Sequence, residues 1–400
     1  MSRKNVREVL IAGAGPAGLG AALFLRERAI DVQVVDPGER PSDDELAVVL
    51  HRDVAQMLAD AGVAFELEHE ARAIESISIF DGARWVGEAD LAGASPFRGV
   101  PIAVPRWLLC KKLELALRRR GGKVAWNHRL ARVEVASDHV RAEIDALELD
   151  GAGYAYAVTE KIVARSSTRQ PAYLVAADGR ESVVRTQLGI PMHAIAAPEV
   201  TASFEVELDR DPGTGARIVT GDAIATIWPL VGRALRITFH LPIDALAFDL
   251  PSLARAHLPG APLPIVRVRR QQIERRTPAI AERPSFGPAW LLGDAARTLS
   301  SAASQPVNQG LRDAHRLASA LAQVLRIYDD SAPLAAYAIA IQRATRREVE
   351  HAPAYLAHVP ARGPDLDEIV RQLGGRDGVR LKNAMNWAAQ PPGNVGSSRP

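Results

Sequence analysis

The stretch from Val6 to Asp36, VREVLIAGAGPAGLGAALFLRERAIDVQVVD, narrows what this chain can fold into more than any other. Val9, Leu10, Ile11 and Ala12 form a short continuous apolar run, as a strand covered on both faces of a parallel sheet must. Gly13, Gly15 and Gly18 follow at the spacing G-x-G-x-x-G. In such a turn the first glycine allows the tight reversal and the second lets the main chain approach a pyrophosphate. The third lets helix and strand pack closely. The helix that opens at Pro16 and Ala17 points its amide end at the turn, where free N–H groups and the helix dipole favour an anion. Val32, Val34 and Val35 then lead into Asp36, an acid at the strand end that is placed to accept a hydrogen bond from an adenosine ribose. Strand, glycine turn, helix, strand and acid in one register predict a dinucleotide-binding unit. By itself the unit leaves FAD and NAD(P) equally open.

Four hundred residues, 47% of them hydrophobic, suffice for one large α/β body or two interlocked domains. A formal charge of +2 with interspersed signs leaves no basic stripe for nucleic acid and no acidic tail. Cys110 is the only cysteine, which excludes an internal disulfide and a cysteine-based metal cluster and fits a reducing compartment. MSRKNV runs straight into the first strand with no apolar leader. No later stretch reaches the ~18 uninterrupted apolar residues of a spanning helix. The expectation is a cytoplasmic protein without nucleic-acid or membrane partners and without a metal.

Further along, Val48 to Ala61 reads as an amphipathic helix and Ser76 to Val86 as a strand turning at Asp81 and Gly82. Pro101 to Pro105 is extended by its prolines, and Arg106 to Arg120 is a helix ended by Gly121 and Gly122. Lys123 to Asn127 is a strand. Arg132 to Ala136, Val140 to Leu149 and Tyr154 to Ile162 alternate like a small antiparallel meander, with Arg165 to Pro171 as an exposed loop. Tyr173 to Ala177 is a buried central strand that stops at Asp178 and Gly179. Thr201 to Leu241 holds longer alternating strands, a sheet with one face free to floor a substrate. Pro251 to Pro264 reads as a loop, Ile265 to Ile273 as a strand, and Trp290 to Leu292 as an apolar run into Gly293 and Asp294. Gly310 to Arg326 and Leu334 to Glu350 are helices, and the tail from Pro391 is expected to be disordered.

Three separated segments together make the chain similar to the class A flavoprotein monooxygenases, the family of p-hydroxybenzoate hydroxylase. The first is the glycine fingerprint with Asp36. The second is AADGRESVVR, where Asp178, Gly179, Ser182 and Arg185 match the family's central D-G motif. The third is LLGDAARTLSSAASQPVNQGLRDA, which matches its late G-D motif at Gly293, Asp294, Gln305, Asn308, Gly310 and Asp313. Arg106, in VPRWLLCKKL, falls where the family holds the cofactor's phosphate and ribose region. Ser304, Gln305 and Pro306 stand where the family usually has G-Q-G, and Arg297 stands where it often has histidine.

The resemblance implies an α/β fold: a Rossmann-type FAD-binding domain with an inserted antiparallel β-sheet substrate domain and C-terminal helices. The FAD-binding part would come from residues 1–75, 101–190 and 276–330, and the substrate sheet from 76–100 and 191–275. Residues 331–390 would be the C-terminal helices and 391–400 the tail. FAD would lie along Gly13, Gly15, Pro16, Ala17 and Gly18, with Asp36, Arg106 and Asp178 beside it. Gly293, Asp294, Gln305, Pro306, Val307 and Asn308 would hold its flavin half. With one G-x-G-x-x-G unit only, NADPH or NADH would bind transiently as reductant. The family's chemistry, in which O2 and reduced flavin give a peroxyflavin, would hydroxylate an aromatic or polyketide-like small molecule.

On the substrate side, Thr226, Trp228 and Pro229 of ATIWPL lie on a strand that approaches the flavin in similar proteins, with Arg236 one strand on. Trp228 has two readings, a stacking surface or plain core. His240 is either a base for a phenol or a structural residue. A halogenase, oxidase or dehydrogenase of the same fold is the alternative outcome, as is a FAD-binding protein without turnover. No W-x-W-x-I-P segment, the mark of the halogenases, follows the fingerprint.

Overall fold

The computed structural model describes residues 8–43, 45–91, 100–136, 139–149, 161–246, 248–258, 263–299, 305–326 and 331–343. Its first layer is a six-stranded sheet in the order Ser285–Phe286, Ala289–Leu291, Tyr173–Ala176, Val9–Ala12, Val32–Asp36 and Lys123–Trp126. The four inner pairings are parallel, with Ile11 facing Val34 on one side and Val175 on the other. These central strands are apolar throughout because both faces are covered. Helix Pro16–Glu27 buries nearly its whole first two turns. It packs on helices Arg106–Arg119 and Gln305–Arg326, and Leu19, Leu23, Phe24, Leu113, Leu317 and Leu321 fill the shared core. Gly20 permits the last contact, since a Cβ there would come within 2.8 Å of Leu311 Cδ2.

A second layer is a seven-stranded sheet in the order Ile265–Arg276, Glu199–Leu208, Ala234–Leu241, Ile224–Pro229, Gly215–Thr220, Ser76–Asp81 and Arg84–Asp90. One face is apolar: Phe204, Val206, Leu235, Ile237 and Phe239 pack under Leu250 and Leu253 of helix Leu250–His257. The opposite face is divided. Ile77, Ile79, Ile218 and Trp228 pack against Val49 and Ala103, which belong to strands Val48–Leu50 and Ile102–Val104 of a separate three-stranded sheet. The rest of that face is polar, in three cross-strand rows: Arg236 with Glu205 and Arg270, Thr238 with Ser203 and Gln272, and His240 with Thr201 and Glu274. Alternation places these side chains together on one side of the sheet.

Several local expectations are corrected. Val48–Leu50 is a strand, and the helix begins only at Arg52. Its β-branched start finds ladder partners in Ile102–Val104, and tertiary pairing overrides the periodicity. The stretch read as a loop from Arg165 is strand Lys161–Arg169, paired with Val140–Leu149. It is an exposed edge, so its polar residues carry no alternating signal. The strand expected from Tyr154 lies mostly in 150–160, outside the described residues. Pro251 starts a helix instead of breaking one. It stands in the first turn, where the missing N–H costs nothing, and Asp249 Oδ1 caps that turn by accepting from Ser252 N–H at 2.9 Å. The helix expected from Gly310 begins at Gln305, and the next is described over 332–343. Among the described residues no helix is long and apolar enough to cross a membrane.

Candidate functional site

The glycine turn has the geometry its spacing predicts. Gly13 has φ +101°, and a Cβ there would lie 2.3 Å from the Ala177 carbonyl oxygen. A Cβ on Gly18 would lie 2.0 Å from the Gly13 carbonyl oxygen, so these two glycines are required by the protein itself. Gly15 differs: its nearest neighbour would be Arg106 Nη2 at 3.9 Å. Nothing in the protein's own packing demands a glycine there, and the space above it is open cleft.

Two cavities meet at that point. The first, of about 390 Å³, runs from Gly13 and Gly15 past Asp36, Arg40, Trp126 and Leu130. The second, of about 370 Å³, runs from Gly15, Pro16 and Ala17 past Gly293, Asp294, Pro306 and Val307. Gly15, Glu45, Arg106, Ala177 and Gly179 line both. The second cavity also has Arg236, Gln272 and Glu274 in its wall, so the polar face of the large sheet closes it from the far side.

Asp36 anchors the turn as well as lining the first cavity. Its Oδ2 accepts from Ala14 N–H and its Oδ1 from Gly38 N–H, both at 2.7 Å. Asp178, in the wall of the first cavity, accepts from Ser182 Oγ at 2.6 Å and from Val184 N–H at 3.2 Å, and burial raises its pKa. Arg185 pairs with carbonyls instead of with Asp178. It donates to Arg180 O at 2.8 Å and to Ala295 O at 3.1 Å, tying the D-G segment to the G-D segment. Gly293, at φ +62°, opens the short 3-10 turn Gly293–Ala295. Burial raises the pKa of Asp294, opposed by Arg276, whose Nη1 lies 3.9 Å from Oδ2, and by Arg106.

Pro306 and Val307 sit in the first turn of helix Gln305–Arg326 and face the second cavity. Asn308 does not. It is fully buried, donates through Nδ2 to Val49 O and accepts at Oδ1 from His51 N–H, both at 2.8 Å. Its amide locks the helix start to strand Val48–Leu50. The side chain of Gln305 and all of Ser304 lie outside the described residues.

Among the substrate-side expectations, Arg236 lines the cavity and the others do not. Trp228 packs with Ile77, Ile79 and Ile218 at the seam between the two layers, which is the core reading. Thr226 and Pro229 are buried on the same strand. His240 is buried with no hydrogen-bond partner for either ring nitrogen. Burial, then the charge of Arg236, lowers its pKa to about 4. Its ring is neutral near pH 7 and does not line either cavity.

The cavities bring in residues that sequence reasoning passed over. Glu45 sits in a segment legible only as a polar turn, and Gln272, Glu274 and Arg276 end a strand whose charges look like solvated surface. Arg276 Nε is buried without a hydrogen-bond partner. Only the register that turns these side chains toward the cleft distinguishes them.

The family described as FAD binding domain matches residues 7–239 and 253–352. The chain is 27% identical over 340 residues to 6-methylpretetramide 4-monooxygenase of Streptomyces rimosus, an alignment covering 80% of this chain and 56% of that protein. It is 26% identical over 348 residues to dialkyldecalin synthase of Streptomyces rugosporus, covering 80% and 65%. The chain thus spans little more than half the length of the first of these relatives. The fold superposes on p-nitrophenol 4-monooxygenase PnpA of Pseudomonas putida DLL-E4 with a TM-score of 0.74 at 20% identity, covering 96% of this chain and 98% of that one. Matched over most of its length, the chain belongs to the family described as FAD binding domain.

Proposed function

We propose that the chain is a FAD-dependent monooxygenase that uses NADPH or NADH and O2 to hydroxylate an aromatic or polyketide-like small molecule. The observation that carries the cofactor assignment is Gly15, a glycine that no protein contact requires, at the junction of two cavities. The donor set fits FAD along its length. Main-chain amides at the start of helix Pro16–Glu27 and the Arg106 guanidinium receive the diphosphate. Asp36 would accept from the adenosine ribose, Trp126 and Leu130 of the same cavity would offer apolar surface to the adenine, and Asp294 would accept from the ribityl hydroxyls. The N-terminal end of the 22-residue helix Gln305–Arg326, with Val307 N–H there and Pro306 lacking one, would favour negative charge at the pyrimidine edge.

When bound, FAD supplies hydride acceptance from the nicotinamide and activation of O2 for transfer of one oxygen atom. The chain's own work is positioning and shielding. Arg236, Gln272 and Glu274 offer donors and acceptors that orient a polar aromatic molecule against the cofactor. The apolar seam around Trp228 keeps water from that side. In this reading residues 76–100 and 191–275 serve the substrate, and 1–75, 101–190 and 276–330 hold the cofactor, in a cytoplasmic enzyme.

The relative named as a synthase favours a second reading, a FAD-binding protein of this fold that transfers no oxygen. One experiment separates the two. Purified protein is expected to be yellow, and a phenol or larger aromatic molecule without a nitro leaving group is expected to accelerate NAD(P)H oxidation with oxygen uptake and a product heavier by one oxygen. FAD binding without reduction by NADPH or NADH, whatever phenol is added, leaves the second reading standing. Colourless protein that refuses added FAD rejects both.

A further inference from the structure

Glu45 is an acid in a place built for an anion. It lines both cavities at their junction, beside Gly15 and Arg106, and its Oε2 pairs with Arg106 Nη1. The other groups at the junction attract negative charge. Helix Pro16–Glu27 presents its amide end with no acidic residue in its first turn, and the Arg106 guanidinium lies against Gly15. A diphosphate seated on Gly15 would need that same guanidinium.

The segment carrying Glu45 is held from the substrate side. The Glu45 carbonyl accepts from Arg270 Nη1 at 3.2 Å. Ala47 N–H donates to Glu205 Oε1 at 2.5 Å, and the Ala47 carbonyl accepts from Arg236 Nη1. Arg236, Glu205 and Arg270 are one cross-strand row of the polar face. The large sheet therefore fixes the main chain here, and the side chain alone is free to turn toward or away from the cofactor side.

We infer that Glu45 is a displaceable stand-in for the cofactor's diphosphate: it holds Arg106 when no dinucleotide is bound, yields it when FAD enters, and thereby limits cofactor affinity. This rests on the FAD reading above. Desolvation lowers the pKa of Arg106 against the opposing charges of Cys110, Asp294 and Glu274, and its side chain is still 32% exposed, so the carboxylate of Glu45 adds a modest, displaceable stabilisation. FAD must displace that carboxylate to bind.

The test uses the full chain stripped of cofactor, titrated with FAD by flavin fluorescence and with ADP and adenosine by calorimetry. Glu45→Gln is expected to bind FAD and ADP roughly three- to fivefold more tightly, the upper end of the scale for an ion pair about one-third exposed. Both ligands should gain by one factor, and adenosine, which has no phosphate, should not gain at all. In an Arg106→Gln background the Glu45→Gln gain should fall below about twofold. FAD binding by Glu45→Gln that is unchanged or weaker, with an unchanged circular dichroism spectrum, overturns the inference. So does a gain that persists undiminished without Arg106 or extends to adenosine. If the unsubstituted chain binds no FAD, the cofactor reading falls and takes this inference with it. If it binds FAD and Glu45→Gln binds it no more tightly, only the inference falls.

Discussion

Arg297 and Asp313 form a buried ion pair: Nη2 lies 2.5 Å from Oδ2, and each side chain is 3% exposed. Arg297 stands just after the Gly293–Ala295 turn, and Asp313 stands about two turns into helix Gln305–Arg326, so the pair joins the two ends of the late motif. Gln309 Nε2 supports it by donating to Asp313 Oδ1 at 3.2 Å. Removing one partner of such a pair leaves a buried charge uncompensated. Asp313→Asn is therefore expected to cost about 3–5 kcal/mol, read as a fall in the urea midpoint of unfolding. The double variant Arg297→Met with Asp313→Leu should be more stable than either single one.

The three glycines of the turn should separate by phenotype. Gly15→Ala places its Cβ in open cleft, so its unfolding midpoint should change little while FAD affinity falls at least about tenfold. Gly18→Ala drives a Cβ to 2.0 Å from the Gly13 carbonyl and should lose about 1–3 kcal/mol or more of stability. Parallel thermal melts and flavin-fluorescence titrations of the two variants check this. Equal loss of stability in both would contradict it.

His240 makes stability depend on pH. Its folded pKa is lowered to about 4 from 6.5, so between those values the unfolded chain binds the extra proton. Stability present above the unfolded pKa is lost as pH falls toward the folded one. Arg236 on the same strand adds to this, while Glu274, two strands away in the same row, is the acid facing it. This residue should account for about 2 kcal/mol of the loss from about pH 7.5 to about pH 5. His240→Leu should flatten that part of the profile in urea unfolding at the two pH values.

Arg185 couples two motifs that are far apart in the chain. Its guanidinium bonds the carbonyls of Arg180 and Ala295, one in the D-G segment and one in the G-D segment. Arg185→Met leaves both carbonyls without this donor and should cost about 1–3 kcal/mol. FAD affinity should fall with it, since Gly179 and Asp294 lose their common tether. Arg185→Lys, which reaches only one carbonyl at a time, should recover part of both.

What the sequence determined by itself is local and periodic. The order strand, glycine turn, helix, strand and acid fixes its own geometry, because the φ of Gly13 and the close approach at Gly18 admit no other residue type. Long apolar or alternating runs such as Val9–Ala12 and Ala234–Leu241 carried their strands plainly. Weaker signals misled. Pro251 reads as a breaker until a cap puts it in a first turn, and Lys161–Arg169 is a strand only because Val140–Leu149 offers it a ladder.

Only the tertiary structure decided what faces the cleft. Trp228 and Arg236 are cross-strand partners, yet one is core and the other lines the second cavity. The motif residue Asn308 turned out to bind main chain, and Glu45, without any motif, stands at the junction. Side-chain type is written in the sequence. Which groups share a low-dielectric cleft depends on how two sheets meet, and no single stretch of chain encodes that meeting.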